Sequence, residues 1–217
     1  MSLVYVFAIT RHRADAFACE GHRIDFTGAA GFAAAIERVA APPPLSEASL
    51  RVQHEIVLRI AAVVDEILPV RFGAAMELDE LHRLLISRKG AIDEALDLVR
   101  GRVQMTIRAR QSTPPPRSAP VQSRSGKVTG TAYLEGRRAA GVQLPSTATA
   151  PAIAQVRTVV VAERHDTSSR GNIASTYHLI ERGDVQWYRS ALTDLDPAVA
   201  TVSGPWPPFA FAPDLWS

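Results

Sequence analysis

Three prolines within four positions constrain this chain more than any other stretch, Ser203-Gly-Pro-Trp-Pro-Pro-Phe-Ala-Phe211. Pro205, Pro207 and Pro208 each fix φ at about −65° and remove a backbone donor. The residue before each is biased towards extended geometry, so Gly204, Trp206 and Pro207 are held open. A helix and a central strand are both excluded here. The expectation is a stiff extended segment presenting Trp206, Phe209 and Phe211, with the two phenylalanines on one side at a period of two. Two roles stay open: a hydrophobic strap that completes the core, or a rigid aromatic contact surface for a partner. Burial alone favours the strap.

The rest of the chain reads as mixed helix and strand. Leu3 to Ile9 is apolar on both alternating faces, as in a strand covered on both sides, and no basic segment precedes it to suggest a secretion signal. A second short strand is expected around Ile24-Asp25-Phe26, and Thr27 to Ala41 suits a strand or a short helix. After Pro42-Pro43-Pro44 a helix is expected from Ser46. Ile56, Val57, Ile60, Val63, Val64, Ile67 and Leu68 recur along one face, and Pro69 marks the end. A second helix should run with Glu77, Asp79 and Glu80 at its positive end, Arg88 and Lys89 at its negative end and Gly90 as its cap. A third carries Ile92, Ala95, Leu96 and Val99. Arg71, between Val70 and Phe72, is expected to point inward and pair with Asp65 or Glu66, stabilising the fold.

Val103 to Ala109 alternates like a half-buried strand, with Gln104, Thr106 and Arg108 on the wet side, and opens a second domain. Gln111 to Gly130 reads as a mobile loop, and Thr131 to Arg138 as a short helix. Ala150 to Ala162 fits helix or strand, Ser175 to Arg182 a strand, and Gly183-Asp184 the start of a helix carrying Tyr188, Leu192 and Leu195. Alternating strands and helices in this half suggest an α+β sandwich with helices on one face of an antiparallel sheet. With 217 residues the chain has room for one large or two small domains.

Charge is uneven along the chain. The overall +2 conceals −3 over residues 1–100, +7 over 101–140 and −2 over the remainder. The basic residues Arg102, Arg108, Arg110, Arg117, Arg124, Lys127, Arg137 and Arg138 suggest either a solvated loop or an anion-binding surface. A nucleic-acid-binding protein using residues 102–138 is therefore the alternative function. Aromatic residues interleaved for base stacking are missing from that segment.

Chemistry is otherwise sparse. Cys19 stands alone, which excludes an intramolecular disulfide and a cysteine-based zinc site and makes a reducing cytoplasm the simplest home. The six histidines, at 12, 22, 54, 82, 165 and 178, include no helical i, i+4 pair, so no metal is expected. His54 is expected at a helix surface and His82 at the edge of the core. No nucleophile elbow, phosphate loop or dinucleotide fingerprint occurs, so neither an enzyme nor a cofactor is expected. No apolar run reaches the length of a membrane span.

Gly204-Pro205-Trp206-Pro207-Pro208-Phe209 resembles the carboxyl-terminal signature of the gas vesicle protein GvpL/GvpF family, usually Gly-Pro-Trp-Pro-Pro-Tyr-Ser-Phe. Phe209 and Ala210 replace its Tyr-Ser. Leu68-Pro69-Val70-Arg71-Phe72-Gly73 is similar to the family's Leu-Pro-x-Arg-Phe-Gly element, with His54-Glu55 upstream. Leu3-Val-Tyr-Val-Phe7 resembles its opening strand. Gly101-Arg-Val-Gln-Met105 resembles its Gly-Arg-x-Glu-Met, with Gln104 in place of the acid, and Ala132-Tyr-Leu-Glu135 also matches. The resemblance implies an accessory protein of gas vesicle assembly in the cytoplasm or the vesicle. Such a protein binds the small hydrophobic shell protein and other accessory proteins, as a chaperone or as a minor vesicle component. It also implies an α+β domain over 1–101 and a ferredoxin-like α+β domain over 102–217 with its loop at about 111–130. In such a protein the stiff aromatic segment read above makes Trp206, Phe209 and Phe211 the expected partner contacts.

Overall fold

The computed structural model describes residues 3–110, 149–168 and 173–215. The expected loop at 111–130, the helix at 131–138 and most of the basic segment lie outside the described residues. What is described is a mixed α/β fold with two antiparallel sheets.

The first sheet is organised on β1 (Leu3–Thr10). β2 (Phe17–Cys19) and β3 (His22–Ala29) form a hairpin, and β4 (Phe32–Val39) joins β3 to β1. The other edge of β1 takes two short strands, β5 (Leu68–Pro69) and β6 (Ala75–Glu77). The Gly/Ala-rich stretch is thus strand. Ala33, Ala34 and Ala35 are buried, and their small side chains let helices lie close on both faces. As β1's double apolar pattern predicts, Tyr5 and Phe7 face α1 (Glu47–Ala61), whose Ile56, Val57 and Ile60 are buried. Val4, Val6 and Ile9 face α2 (Leu78–Ser87) and α3 (Lys89–Val99).

The helix expected from Ser46 is present, and Ser46 caps it, its Oγ accepting from the Ser49 N–H at 3.1 Å. The helix nevertheless stops at Ala61, short of the end expected near Pro69, and Val63 is exposed. Two demands outweigh the helical periodicity. Leu68 is drawn into register with Ile9 as the sheet edge. Glu66 is buried within 3.9 Å of Arg11 and 3.6 Å of Arg100. Gly90 does not cap α2. The chain re-enters helix at Lys89, and the Ile92 N–H bonds to Arg88 O, so Gly90 lies in the first turn of α3.

The second sheet runs β10-β7-β9-β8, with β7 (Arg102–Arg110) and β9 (Ile173–Glu181) central and β8 (Val160–Ser168) and β10 (Ala200–Trp206) at its edges. The ambiguous stretch resolves into both forms: α4 (Ala150–Val156), one 3-10 turn, then β8. α5 (Val185–Ala191) follows β9, and Asp184 at its start makes no side-chain cap bond. Met105, Ile107, Ile180, Ile153, Val156 and Tyr188 form the core on the helical face of this sheet. Of the opposite face, expected to be wet, Gln104 and Thr106 are buried and Arg108 is exposed. Leu179 on that face packs into the α2–α3 core of the first sheet, together with Phe211 and Leu215.

Candidate functional site

What covers Gln104 is the proline segment itself. β10 pairs with β7 through Ser203, loses register, and regains it at Trp206 opposite Gln104. Pro205 falls in that irregularity, at an exposed edge position where its missing N–H removes no ladder bond. The Gly204–Pro205 peptide is cis, and Gly204 has φ +120°, a conformation side-chain-bearing residues rarely adopt. A Cβ there would also sit 2.7 Å from Gln104 O and 2.9 Å from Met105 Sδ.

Beyond Trp206 the extended expectation fails. Phe209 to Phe211 is a 3-10 turn, with the Phe211 N–H bonded to Pro208 O at 3.0 Å and the Phe209 N–H to Pro207 O at 2.8 Å. Prolines lack donors but keep their carbonyls, and here those carbonyls close the turn. The two phenylalanines therefore point apart. Phe211 is 2% exposed and belongs to the core on the α2–α3 side. Phe209 is 36% exposed and stacks beside His54 of α1, ring centroids 6.5 Å apart. Trp206 is half-buried, 5.4 Å from the same imidazole. Its Nε1–H donates to Ser203 Oγ at 3.2 Å, which leaves the indole faces for apolar contact. The aromatic residues of the segment divide between core and surface. Phe211 is a core strap, and Trp206, Phe209 and His54 make an aromatic edge. Phe211 is unavailable as a partner contact.

The strap is held by four polar clamps, three from β7, β8 and α5 and one from the segment after β5. Gln104 Oε1 of β7 accepts from the Ala210 N–H at 2.8 Å. Arg164 of β8 donates to Ala210 O at 2.8 Å and lies over the Phe211 ring. Arg189 of α5 donates to Gly204 O. Arg71, after β5, pairs with Asp214 at 3.5 Å.

That last pair corrects the inward reading of Arg71. Its side chain is 78% exposed, and Glu66, one of the two expected partners, is held instead by Arg11 and Arg100. The rest of its motif is divided between structure and surface. Leu68, Pro69 and Val70 are buried, and with Arg71 they line a small cleft closed by Phe209, Ala212, Pro213 and Leu215. The two separated motifs therefore meet in space, Gly204, Pro207 and Pro208 placing the strap against Leu68 and Pro69. Gly73, with φ +93°, turns its N–H to Tyr5 Oη at 3.1 Å. The Tyr5 hydroxyl donates to Gln53 Oε1, and Gln53 Nε2 donates to Val70 O at 2.8 Å. Burial raises the Tyr5 pKa, only partly opposed by the Gly73 N–H.

Sequence reasoning missed a second polar cluster. Glu163 of β8 lies directly across from His178 of β9. Its Oε2 is 3.0 Å from His178 Nε2, and its Oε1 is 2.6 Å from His165 Nε2. His178 is fully buried, with Nδ1 2.8 Å from Tyr188 Oη. Burial drives the His178 pKa down despite the carboxylate, and burial beside Glu163 pushes that of Tyr188 up. Only the cross-strand register brings these residues together, and no local spacing in the sequence announces it. Among the described residues no three His, Cys, Asp or Glu side chains are arranged to hold a metal ion. Within them, no helix is long and apolar enough to cross a membrane. Arg102 is committed to Glu181 at 2.7 Å. His82 meets Thr27 Oγ1 at 2.9 Å, at the core edge as expected.

Fold and site together define a mixed α/β protein in which one proline-rich strap joins two antiparallel sheets and displays an aromatic edge. The sequence model of the gas vesicle synthesis protein GvpL/GvpF family matches residues 3–213, and the chain belongs to that family. Its fold is similar to the crystal structure of the gas vesicle protein GvpF from Anabaena sp. PCC7120. The TM-score is 0.72 at 12% identity, covering 98% of this chain and 97% of that one. GvpF from Microcystis aeruginosa gives the same score and identity over 97% of this chain and 99% of the other. No curated protein matches the chain.

Proposed function

We propose that this protein is a non-enzymatic accessory factor of gas vesicle assembly, working in the cytoplasm or at the vesicle. It binds the small hydrophobic shell protein as a chaperone or minor component, and it contacts other accessory proteins. The observation that carries the reading is the partly exposed edge that Trp206 and Phe209 make against His54 of α1, on a strap fixed by four clamps. A subunit with large apolar surfaces aggregates unless those surfaces are covered. A rigid aromatic edge covers them with little ordering entropy to offset the gain. Family membership supports the gas vesicle setting.

In this reading residues 1–101 form one α+β domain and 102–217 a second, ferredoxin-like one. The described order β7, α4, β8, β9, α5, β10 and the sheet order β10-β7-β9-β8 support the second assignment. The test is co-purification. Tagged protein co-expressed with the shell protein should capture it under mild conditions. A Trp206→Ala, Phe209→Ala double variant with unchanged melting should lose about tenfold in capture. Failure of the unaltered protein to capture the shell protein, or full capture by the double variant, overturns the reading.

A further inference from the structure

On the α1 side of the first sheet, a cavity of about 280 Å³ opens between the first two turns of α1 and the strands beneath. Its floor is aromatic. Tyr5 and Phe7 lie edge to face at 5.0 Å, and Phe72 of the Leu-Pro-x-Arg-Phe-Gly element closes one end, 6.1 Å from Tyr5. The polar atoms of that floor are already committed, the Tyr5 hydroxyl and the Gln53 amide to each other, to Gly73 and to Val70. An occupant therefore meets apolar surface at the floor.

One charged group breaks that surface. Glu37 of β4 is in direct register with Tyr5, so its carboxylate stands on the same covered face and lines the cavity. It is only 21% exposed and pairs with His22 Nδ1, at 2.9 and 3.0 Å. His22 meets both carboxylate oxygens through a single ring nitrogen, and the carboxylate stays on the cavity wall. A carboxylate beside three rings whose faces are electronegative selects against anions and for a cation on an apolar stem.

We infer that this cavity takes the side chain of a lysine or arginine from a bound protein, its methylenes on Tyr5, Phe7 and Phe72 and its charged head on Glu37. The inference rests on the proposed partner surface. Ser49, Val52 and Gln53 of α1 line the cavity, while His54 of the same helix carries the aromatic edge. A polypeptide lying along α1 from that edge reaches the opening.

The test uses capped single residues, so it does not depend on which protein binds. Nα-acetyl-lysine and Nα-acetyl-arginine methylamides are titrated into the whole protein and followed by NMR, with the uncharged norleucine methylamide as comparison. At least one basic probe should saturate, shift the Tyr5 and Phe72 ring signals, and bind about tenfold more tightly than norleucine. Glu37→Gln should remove that preference and leave norleucine binding unchanged. If Glu37→Gln does not fold, Ala48→Trp, at an exposed helical position on the cavity lip, should abolish binding with unaltered melting. Equal affinity for basic and neutral probes, no saturation, an unaltered preference in Glu37→Gln, or binding retained by Ala48→Trp overturns the inference. Loss of shell-protein capture on changing Trp206 and Phe209 while the probes still bind would leave the cavity intact as a site, so the two readings fail separately.

Discussion

Gln104 Oε1 accepts a hydrogen bond from the Ala210 N–H at 2.8 Å, joining residues 106 positions apart. The bond fixes the turn that sends Phe209 and Phe211 in opposite directions. Gln104→Ala removes the acceptor and strands a part-buried N–H. We expect a loss of about 1–3 kcal/mol in denaturant unfolding, with weaker capture of any partner that uses Phe209.

Gly204 combines a positive φ with backbone contact on β7. Gly204→Ala meets both obstacles, because neither Gln104 O nor the strap can move without breaking the pairing at Trp206. We expect a loss of about 2 kcal/mol or more, read as a lowered denaturation midpoint at constant m-value.

Arg71→Ala tests the surface placement of a motif arginine. Its ion pair with Asp214 is exposed on both sides, so stability should change by less than about 1 kcal/mol. Glu66→Ala should cost more, because it leaves Arg11 and Arg100 facing each other across a buried position. Thermal melts of the two variants side by side decide the ranking.

His178 supplies a pH dependence. Burial lowers its pKa in the folded state below the ordinary 6.5, so the folded protein holds it neutral. The unfolded chain takes up the proton first as pH falls. The stability this group contributes is therefore complete above about 6.5, starts to fall there, and is lost as pH passes through the folded-state pKa. His165 and Arg157 act with burial, while Glu163 opposes it. His178→Gln should flatten the stability profile below pH 6.5, measured by denaturant titrations at several pH values.

Local chemistry made much of this fold legible. The helix beginning at Ser46, the two-faced β1 and a strand over Val103–Ala109 each follow from a few neighbouring residues, and each appears in the structure. The failures share one cause. Period-two extrapolation through Phe211 and the helix drawn to Pro69 both extended a local pattern past the point where a distant partner took over. For Phe211 that partner was the first sheet's core, and for Leu68 it was Ile9. Arg71 was misplaced for the same reason, since Asp214 lies far along the chain. Of the candidate site, Trp206 and Phe209 were readable as aromatics on a stiff segment. His54, Gln104, Arg164 and Arg189 were not, because their roles exist only once the sheets are side by side.

The core that β1 begins at Val4 is not complete until Phe211 and Leu215 are in place. During synthesis the first sheet must therefore wait, with an unfilled apolar gap beside Leu81, Leu85 and Leu96, until Phe211 and Leu215 are made. A chain lacking the strap would leave that gap open to solvent, so residues made after all the others of this core decide whether the first sheet closes.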